Sequence, residues 1–496
     1  MSDPVDPQLP SPPDSRDRPR VGVDEWVAAA EGRMERRRGV AGTVERAWTR
    51  LPVSLRFVVM VGPIVLLPLI TSNLYVIRVG TNTLIYMLLA LGLNITVGFA
   101  GLLDLGYVAF FGFGAYAYAI LSSGHFHWHL ATWKSIPIVV ALSALLGVLL
   151  GLPSRRLFGD YLAIVTLFFL QIFFVIANRG NELSFIGFGG KHDLTGGPNG
   201  IANIDSYRVF GHRLDALAVT PYFYASLIAF VVVAIALYLL TESRIGRAWR
   251  ALREDPLAAE LLGTPVNRLK LLAFSIGAAV AGLTGTLFAG LNGYVSANSF
   301  DVTLLIMIYA MVILGGTGSL TGVAIGAVVV NVSLEVLRTP DHARWVFYLA
   351  ILAGLAFALR PWWKLVAVLG GTAIFGLVVH AIADSVWSKQ THGQLQAAGR
   401  LGGLLRHWVV LPTNQQRIGN WAFVLLIAAV IVVTTLKGSR RLVFLVPTLY
   451  LTAFVWENRL VVEPSVTRLL LIGAILIVLM NARPQGLLGT ARVEIV

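Results

Sequence analysis

The sequence predicts an all-α polytopic membrane protein, a transmembrane helical bundle of about 14 spans, to within about two. Hydrophobic residues make up 56% of its 496 residues and charged residues 13%, whereas about a quarter of the residues in a soluble domain are charged. A helix needs about 20 apolar residues to cross the bilayer core. Residues 271–300 and 302–334 contain no charged side chain. A soluble fold could not bury this much apolar surface.

Hydropathy places the spans along the chain. They are predicted near residues 57–77, 83–101, 105–121, 136–152, 160–177, 220–240, 271–293, 303–316, 319–337, 345–359, 365–384, 421–436, 442–456 and 468–481. Basic residues collect in cytoplasmic loops. With the N-terminus inside, the basic groups at 155–156, 244–270 and 437–441 fall on that side. Segment 385–420 does not follow this alternation, so it is either an amphipathic helix on the membrane surface or a sign that the count is off by one.

Charge and composition exclude several other classes of protein. The net charge is +13, but the basic residues lie between apolar segments and do not form the single basic face of a nucleic-acid-binding protein. The chain has no cysteine, which excludes disulfides and thiolate metal sites. Residues 1–50 are rich in proline and arginine and contain no apolar signal region. They predict a cytoplasmic, partly disordered N-terminal tail.

Two stretches are dense in glycine, namely Gly92–Gly114 and Gly315–Gly326. The apolar region around each stretch is too long for one span and short for two. Small residues at helical spacing let helix backbones approach closely in lipid, and broken helices near the midplane form substrate paths in transporters. Both explanations, packing and a broken helix, are open from the sequence.

A charged segment, 242–270, reads ESRIGRAWRALREDPLAAELLGTPVNRLK. Arg244, Arg247, Arg250 and Arg253 recur every three residues and so share one slowly drifting helical face. Asp255 and Pro256 predict the cap and first turn of a second short helix, about Pro256 to Leu262, which ends at Gly263. This is either a lever for a partner ATPase or an ordinary basic loop on the cytoplasmic side.

Several longer stretches resemble the LivM family of branched-chain amino acid permeases. They are GLNITVGFAGLLDLGYVAFFGFGAY, GDYLAIVTL, LTGGPNGI, GRAWRALREDPLAAELLG, AGLTGTLFAG, VILGGTGSLTG and RPQGLLG. The resemblance covers about Thr83 to Arg338 and Arg468 to Gly489. The loop also resembles the E-A-A, three residues, Gly pattern of ABC importers, with Leu257 in place of the glutamate. Gln171 stands where the family usually has an acidic residue.

The resemblance implies a permease that works with other subunits of an importer. Those subunits are a second, LivH-like permease, two ATPases carrying ATP and magnesium, and an extracytoplasmic binding protein; no cofactor is expected on this chain. The implied domains are a core at 51–338, an extra transmembrane block of unknown role at 339–467, and a final span with a cytoplasmic C-terminus at 468–496. The bacterial inner membrane is the implied location.

Two sets of candidate site residues follow from the loop pattern and the resemblance. The coupling set is Arg247, Arg250, Arg253, Glu254, Asp255, Leu257, Ala258, Ala259 and Gly263. The set for the substrate path is Asn94, Gly98, Asp104, Gln171, Thr195, Gly196, Gly197 and Asn199. Asp104 is explained either by the path or by capping of a span from Leu105. The loop Leu194–Ile201 either offers free backbone amides to a carboxylate or the binding protein, or is simply a turn.

Other polar groups indicate local pairing or loop positions more than metal binding. His380 and Asp384 are four residues apart near the end of a span, and a metal would need more ligands than this pair. His125, His127 and His129 alternate in a short outer loop, where a transition-metal site is the alternative to exposed loop histidines.

Three alternative functions remain at the level of sequence. A permease for urea or another small amide shares the architecture. An ion-coupled secondary transporter would need acidic or histidine relays inside the bundle, and these are scarce. An intramembrane enzyme would need a nucleophile and a base at membrane depth. No G-x-x-x-x-G-K-[ST] motif is present, since Gly190 and Lys191 are followed by His192, so ATP hydrolysis is expected on another chain.

Overall fold

The computed structural model describes most of the chain after the N-terminal tail. The described residues are 62, 64–126, 128–154, 159–181, 193–209, 212–213, 219–359, 361–387, 393, 400–436, 438–463, 466–467, 469–474, 477 and 486–487. The predicted tail, the basic pair at 155–156, His127, Lys437 and half of the final span lie outside them. Residues Pro68–Thr490 form one compact unit, whose fold is given below.

The unit consists almost entirely of helices, as predicted. They are α1 (Leu74–Leu93), a π-helix (Asn94–Phe99), α2 (Tyr107–Leu121), α3 (Thr132–Ser154), α4 (Asp160–Arg179), α5 (Val219–Glu242), α6 (Arg244–Glu254), α7 (Pro256–Leu261), α8 (Val266–Asn292), α9 (Val302–Gly315), α10 (Leu320–Val336), α11 (Pro340–Ala358), α12 (Trp362–Trp387), α13 (Arg400–Arg406), α14 (Gln415–Thr435) and α15 (Ser439–Val462). Two antiparallel pairs of short strands lie between helices: β1 (Ile201–Ala202) with β4 (Tyr294–Val295), and β2 (Arg208–Val209) with β3 (His212–Arg213).

The boundary between the first two predicted spans is wrong. The sequence analysis ended one span at 77 and began the next at 83, but α1 is continuous from Leu74, where the Asn73 side chain accepts a hydrogen bond from the Tyr75 amide at 3.0 Å. The charge of Arg78 interrupts the run of apolar residues from which the spans are predicted. It lies in the second turn of α1 and donates to the Asn292 side chain at 3.2 Å, so its charge is accommodated without a loop.

In the described part of the chain, eight helices are long and apolar enough to cross a membrane, or up to nine with the bent pair of α10 and α11. That pair turns by 117°. Two other helices account for part of the difference from the predicted count. α2 has only 15 residues, and α15 carries charged residues near both of its ends. The larger total stays a prediction, because several segments lie outside the described residues.

Close packing of small residues holds the first part of the bundle together. α8 packs against α1, α2 and α3, and α9 packs against α10. A Cβ on Gly114 would lie 2.5 Å from the Cα of Gly282, and one on Gly322 would lie 2.4 Å from the Gly315 carbonyl oxygen. These distances leave no room for a side chain. The packing explanation of the glycine-rich stretches is therefore confirmed at these positions, where backbones touch as small residues in lipid allow.

Within the extra block, α11 and α15 are joined by a buried ion pair. The Arg344 Nε donates to the Glu457 carboxylate at 2.8 Å, and both side chains are fully buried. The Tyr348 hydroxyl donates to the other carboxylate oxygen at 3.2 Å. Phe347 stacks on Trp456 with ring centroids 4.1 Å apart. α15 is thus fixed against α11 by both charge and packing.

The segment predicted as an amphipathic surface helix, 385–420, contains a short helix that is followed by buried chain. α13 has seven residues. Leu405, Val409 and Leu411 form a buried cluster, and the Trp408 indole donates to the carbonyl of Ala373 in α12 at 3.0 Å. The described residues of this segment therefore pack against other helices of the protein. A helix lying only on the membrane surface would not make these contacts.

Candidate coupling and translocation site

α6 is held against the bundle by one apolar face. The Ser243 hydroxyl accepts from the amide of Ile245 at 3.2 Å and begins the helix. The buried residues of this helix are Gly246, Trp249 and Leu252. The indole of Trp249 donates to the carbonyl of Leu269 at 3.0 Å. Since Leu269 lies in the first turn of α8, α6 is fixed to the start of the central helix.

The arginine stripe divides into two parts. Arg247 donates to the Glu242 carbonyl at 3.1 Å, and Arg250 donates to the Thr241 carbonyl at 3.2 Å. Both side chains are exposed. They bond to carbonyls in the last turn of α5, for which no further helical amide is available as a donor. Arg253 instead is half-buried and turns into the bundle. Arg247 and Arg250 therefore share an exposed face as predicted, whereas Arg253 does not lie on it.

The second short helix, α7, forms as predicted. Asp255 accepts from the amides of Leu257 and Ala258 at 2.8 and 3.0 Å, and Pro256 occupies the first turn. At the other end Gly263 has φ +81. Its amide bonds to the Glu260 carbonyl, and the next amide bonds to the Ala259 carbonyl, which is the pairing of a Schellman motif.

α7 exposes an apolar surface. Leu257, Leu261 and Leu262 are 69%, 89% and 85% exposed, whereas Ala259 is buried against the bundle. Leu257 and Leu261 lie in the helix and Leu262 follows it directly; three exposed leucines this close together are unusual unless another surface covers them. We call this end of the molecule, defined by residues 243–265, the elbow face. Glu254 and Ala258 are also exposed there.

Arg253 contacts both glycine-rich stretches. Its guanidinium donates through Nη1 to the carbonyl of Gly98 in the π-helix and through Nη2 to the hydroxyl of Thr317 at 3.2 Å. Gly101 lies against its stem, since a Cβ there would lie 2.9 Å from the Arg253 Cγ. A Cβ on Gly318 would lie 2.6 Å from Nη1. The arginine occupies space that only glycines leave open.

Asn94 joins the two glycine-rich stretches directly. Its side-chain oxygen accepts from the amide of Gly318 at 2.9 Å, and its amide group donates to the carbonyl of Ser319 at 3.5 Å. A Cβ on Gly98 would lie 1.8 Å from that side-chain oxygen. The turn 316–319, between α9 and α10, is therefore bonded to the π-helix through Asn94 and to the elbow face through Arg253.

The same turn contacts the C-terminal motif RPQGLLG. The amide of Leu487 donates to the carbonyl of Leu314 at 2.8 Å. Gly486 has φ +76, and a Cβ there would lie 2.7 Å from the amide nitrogen of Gly316. The resemblance grouped these motifs by order along the chain, and the structure brings them together in space.

A cavity of about 150 Å³ lies beside the elbow face. Its lining includes Gly101, Leu252, Arg253, Pro256 and Lys270. It separates the junction of α6 and α7 from the loop that follows the π-helix. The elbow therefore has open space on the side toward the bundle.

Asp104 is buried between the π-helix and α2. One carboxylate oxygen accepts from the amide of Gly106 at 2.9 Å, and the Tyr309 hydroxyl donates to the Asp104 carbonyl at 2.7 Å. α2 begins at Tyr107 and has no side-chain cap. The capping explanation from a span at Leu105 is therefore wrong, because the carboxylate closes a turn before the helix.

The loop Leu194–Ile201 lies at the opposite end of α4. α4 begins beside the elbow cavity at Asp160 and extends for 20 residues, or about 30 Å. Thr195 is buried and donates to the carbonyl of Ala177 at 2.9 Å. Asn199 is exposed. These residues do not meet Asn94, Gly98 or Asp104, and we call this end the distal face.

The glycine amides of this loop are already bonded. Gly196 donates to the Asp193 carboxylate at 2.6 Å, and Gly197 donates to the Thr195 hydroxyl at 3.3 Å. Gly200 donates to the Gly197 carbonyl at 3.1 Å. The expectation of free backbone amides here is wrong at all three positions, because the loop closes on itself as a turn.

The remaining candidates lie on surfaces. The Gln171 side chain is exposed on α4. His125 bonds to the Asp193 carbonyl and His129 to the Asp205 carboxylate, both at 2.8 Å, so each histidine ties the outer loops together. In the part of the chain that the structure describes, no group of three or more histidine or acidic residues could hold a metal ion.

The sequence analysis missed two sets of residues. Thr317 and Gly318 lie inside a flagged glycine-rich stretch, but nothing in their spacing indicated Arg253 as the partner. Arg344 and Glu457 were placed just outside the predicted spans 345–359 and 442–456. Two single charges of opposite sign at the ends of apolar segments were the available signal for that pair.

Comparison with known proteins gives a family match over the first part of the unit. Residues 75–359 match the family described as the branched-chain amino acid transport system permease component. The chain is 37% identical over 307 residues to the high-affinity branched-chain amino acid transport permease LivM of Escherichia coli K12, covering 58% of this chain and 68% of that protein.

More distant similarities cover shorter stretches. The high-affinity branched-chain amino acid permease LivH of Salmonella typhimurium is 36% identical over 91 residues, which is 18% of this chain and 29% of that protein. The fructose import permease FrcC of Rhizobium meliloti is 28% identical over 173 residues, 34% of this chain and 48% of that protein. No solved structure matches the chain.

Proposed function

The chain belongs to the family of branched-chain amino acid transport permeases, and we propose that it is the membrane-spanning permease subunit of an ATP-driven importer of leucine, isoleucine and valine. One observation carries the proposal. The matched region contains a charged loop with a capped helix, α7, that exposes leucines, and Arg253 connects this loop to both glycine-rich stretches. A helix of this kind is suited to bind an ATPase subunit and to be displaced when that subunit changes conformation.

The motor itself belongs to other chains in this proposal. The sequence carries no phosphate-binding loop, so two partner ATPases bind ATP and magnesium and hydrolyse the nucleotide. Leu257, Leu261 and Leu262 pack into an apolar groove on one of them, and the exposed arginines of α6 contribute charge around that contact. This chain contributes no catalytic residue.

A second permease and a binding protein complete the proposed importer. The similarity to LivH relatives supports a LivH-like second permease. The elbow face carries four arginines, Arg244, Arg247, Arg250 and Arg253, so the positive-inside rule supports a cytoplasmic position for it, with both termini on the same side. The distal face then meets an extracytoplasmic binding protein, and the closed loop Leu194–Ile201 offers it a shaped surface.

The cargo is assigned by similarity to the LivM relatives. A permease for urea or another small amide is the closest alternative, and the FrcC similarity shows that related permeases are named for other cargo. An ion-coupled transporter is disfavoured because the buried acid of the extra block, Glu457, is bonded to Arg344, and Asp104 closes a turn.

Uptake in cells tests the proposal. A strain lacking this chain should lose most of its high-affinity uptake of labelled leucine, and the intact gene should restore it. Uptake should stop when ATP is depleted and should survive collapse of the ion gradients, since hydrolysis drives the step. Labelled urea serves as the matched cargo control.

Three results would contradict parts of the proposal separately. Loss of urea uptake with normal leucine uptake would support the amide alternative. Uptake that stops on collapse of the ion gradients while ATP is maintained would support a secondary transporter. ATP hydrolysis by the purified chain alone would refute the assignment of the motor to other subunits.

A further inference from the structure

Arg253 forms hydrogen bonds that leave the elbow face, in contrast to Arg247 and Arg250, two exposed arginines before it in α6. Those two donate back to the end of α5, five and nine residues away. Arg253 reaches Gly98, 155 residues away, and Thr317, 64 residues away. These two acceptors lie in different glycine-rich stretches, one in the π-helix and one in the turn 316–319. A displacement of Arg253 therefore reaches both stretches at once.

Several features show a space shaped around this side chain. Gly101 has φ +70 and Gly318 has φ +85, and any Cβ would meet the Arg253 stem or guanidinium at 2.9 and 2.6 Å. Two glycines from separate stretches thus leave room for one side chain. The planar guanidinium suits two acceptors at fixed angles, which a lysine ammonium on a flexible stem does not.

The turn 316–319 is suited to pass on a displacement. It is bonded to the π-helix through Asn94, and α9 just before it is bonded to the C-terminal motif through Leu314 and Leu487. A π-helix leaves a local irregularity in helical bonding, where rearrangement is less costly than in a regular helix. The turn, the π-helix and the C-terminal motif then move as one connected group.

The cavity of about 150 Å³ gives the elbow space in which to move. Its lining includes Leu252, Arg253 and Pro256 from the elbow face and residues 100–103 from the loop that follows the π-helix. Gly101 in that loop already lies against the Arg253 stem, so a displacement of Arg253 is passed to the loop by direct contact. The Trp249 to Leu269 bond holds the far part of α6 on α8.

We propose that Arg253 is the positioning residue through which displacement of α6 and α7 moves the π-helix and the turn 316–319 together, so that it couples nucleotide hydrolysis to opening of the bundle. The inference rests on the proposed function. It assigns to Arg253 a role in transmission inside the bundle, whereas the exposed arginines of the same helix serve the contact at its surface.

The test uses the complete importer reconstituted in proteoliposomes, with ATP hydrolysis and leucine transport measured on the same preparation. Arg253→Lys keeps the charge and loses the two-acceptor geometry. We expect ATP hydrolysis to stay within about twofold of wild type while transport falls about tenfold or more, since a hydrogen bond to a charged group contributes at least that factor. The ATP used per leucine transported should rise accordingly.

Arg78→Lys is the matched control, because it keeps the charge of an arginine that lies outside the elbow face and donates to the Asn292 side chain at 3.2 Å. Its ATP-to-leucine ratio should equal that of the wild type. Thr317→Val removes one acceptor with little change in volume and should raise the ratio in the same direction. The double variant Arg253→Lys with Thr317→Val should be no worse than the first variant alone, because both remove one connection.

A wild-type ratio in Arg253→Lys, or an equal rise in Arg78→Lys, would overturn the inference. If Arg253→Lys fails to assemble, Thr317→Val decides, and a wild-type ratio in that variant overturns it. Failure of the unmodified importer to transport leucine would refute the proposed function instead. The two failures are therefore distinguishable.

Discussion

At the scale of single residues, the contacts of Gly98 explain why a glycine stands in the middle of an apolar helix. The Asn94 side-chain oxygen and the Gly318 amide occupy the space where a Cβ would lie, at 1.8 and 2.6 Å. Glycine in a helix interior costs about 1 kcal/mol relative to alanine. Here that cost is offset by the bond between Asn94 and the turn 316–319.

Gly98→Ala should therefore destabilise the protein, although alanine favours a helix. The added methyl forces Asn94 away from Gly318, and overpacking of this kind costs about 1–3 kcal/mol. We expect a lower thermal midpoint for the purified protein in detergent, followed by tryptophan fluorescence, and a loss of leucine transport.

Gly354→Ala is the matched control for this substitution. Gly354 lies inside α11, and no atom of the described residues lies within 4 Å of the position that an added Cβ would take. Alanine there should leave the midpoint unchanged or raise it slightly. Equal midpoints for the two alanine variants would show that the close contact at Gly98 is not a constraint.

At the scale of elements, α7 is a short helix with strong ends and an uncovered face. Asp255 and Pro256 begin it and Gly263 ends it. An isolated helix of six residues would be unstable in water, so caps and the buried Ala259 hold it in place. Its three exposed leucines then form a rigid apolar surface at the elbow face.

The variant Leu261→Cys tests two properties of this face. It shows on which side of the membrane the face lies and whether the ATPases cover it. The chain has no cysteine of its own, so the background is clear. In intact cells, a membrane-impermeant maleimide should not label Leu261→Cys, because the proposed orientation puts the elbow face in the cytoplasm. After permeabilisation, labelling should be fast on this chain alone and slow when the ATPases are bound.

Asn199→Cys on the distal face serves as the comparison. Asn199 is exposed and should react in intact cells unless the binding protein covers it. The opposite pattern, with Leu261→Cys labelled from outside, would place the elbow beyond the reach of an ATPase and would refute the proposed orientation.

At the scale of the whole molecule, the unit joins a core matched by the family to further helices at its C-terminal end. The family match ends at residue 359, at the end of α11. The buried pair of Arg344 and Glu457 connects that helix to α15, and the Arg344 guanidinium also bonds to Asp341 at 3.1 Å. The attachment is therefore specific in geometry and not simply apolar contact.

Removal of one member of this pair should be costly. Glu457→Gln leaves the Arg344 charge buried with less compensation, and breaking a buried ion pair costs about 3–5 kcal/mol. Arg344→Met with Glu457→Met removes both charges and should lie closer to the wild type than Glu457→Gln does. Thermal unfolding in detergent measures the difference.

The Glu335 and Arg338 ion pair supplies the control, because it lies at the surface with side chains 27% and 62% exposed. Surface pairs contribute about 0–1 kcal/mol, so Arg338→Gln should change the midpoint little. A similar midpoint for Glu457→Gln and Arg338→Gln would mean that α15 is held by packing alone.

The sequence by itself determined the membrane-spanning helical class, the order of the helices and both ends of α7. These features depend on composition, on runs of apolar residues and on local caps, all of which act over a few neighbouring residues. The family also followed from the sequence, because its motifs are contiguous stretches. Even the wrong boundary near Arg78 was a local error, caused by a charge whose partner lies elsewhere in the fold.

Only the tertiary structure decided where Arg253 turns, which glycines it requires, and that the amides of the loop Leu194–Ile201 are already bonded. It also decided that Arg344 and Glu457 meet across more than 100 residues. Such contacts depend on how helices pack, and the spacing of residues along a chain does not encode the partner that a side chain meets. The physical reason is that a hydrogen bond or ion pair is specified by distance in space, whereas hydropathy and capping are specified by distance along the backbone.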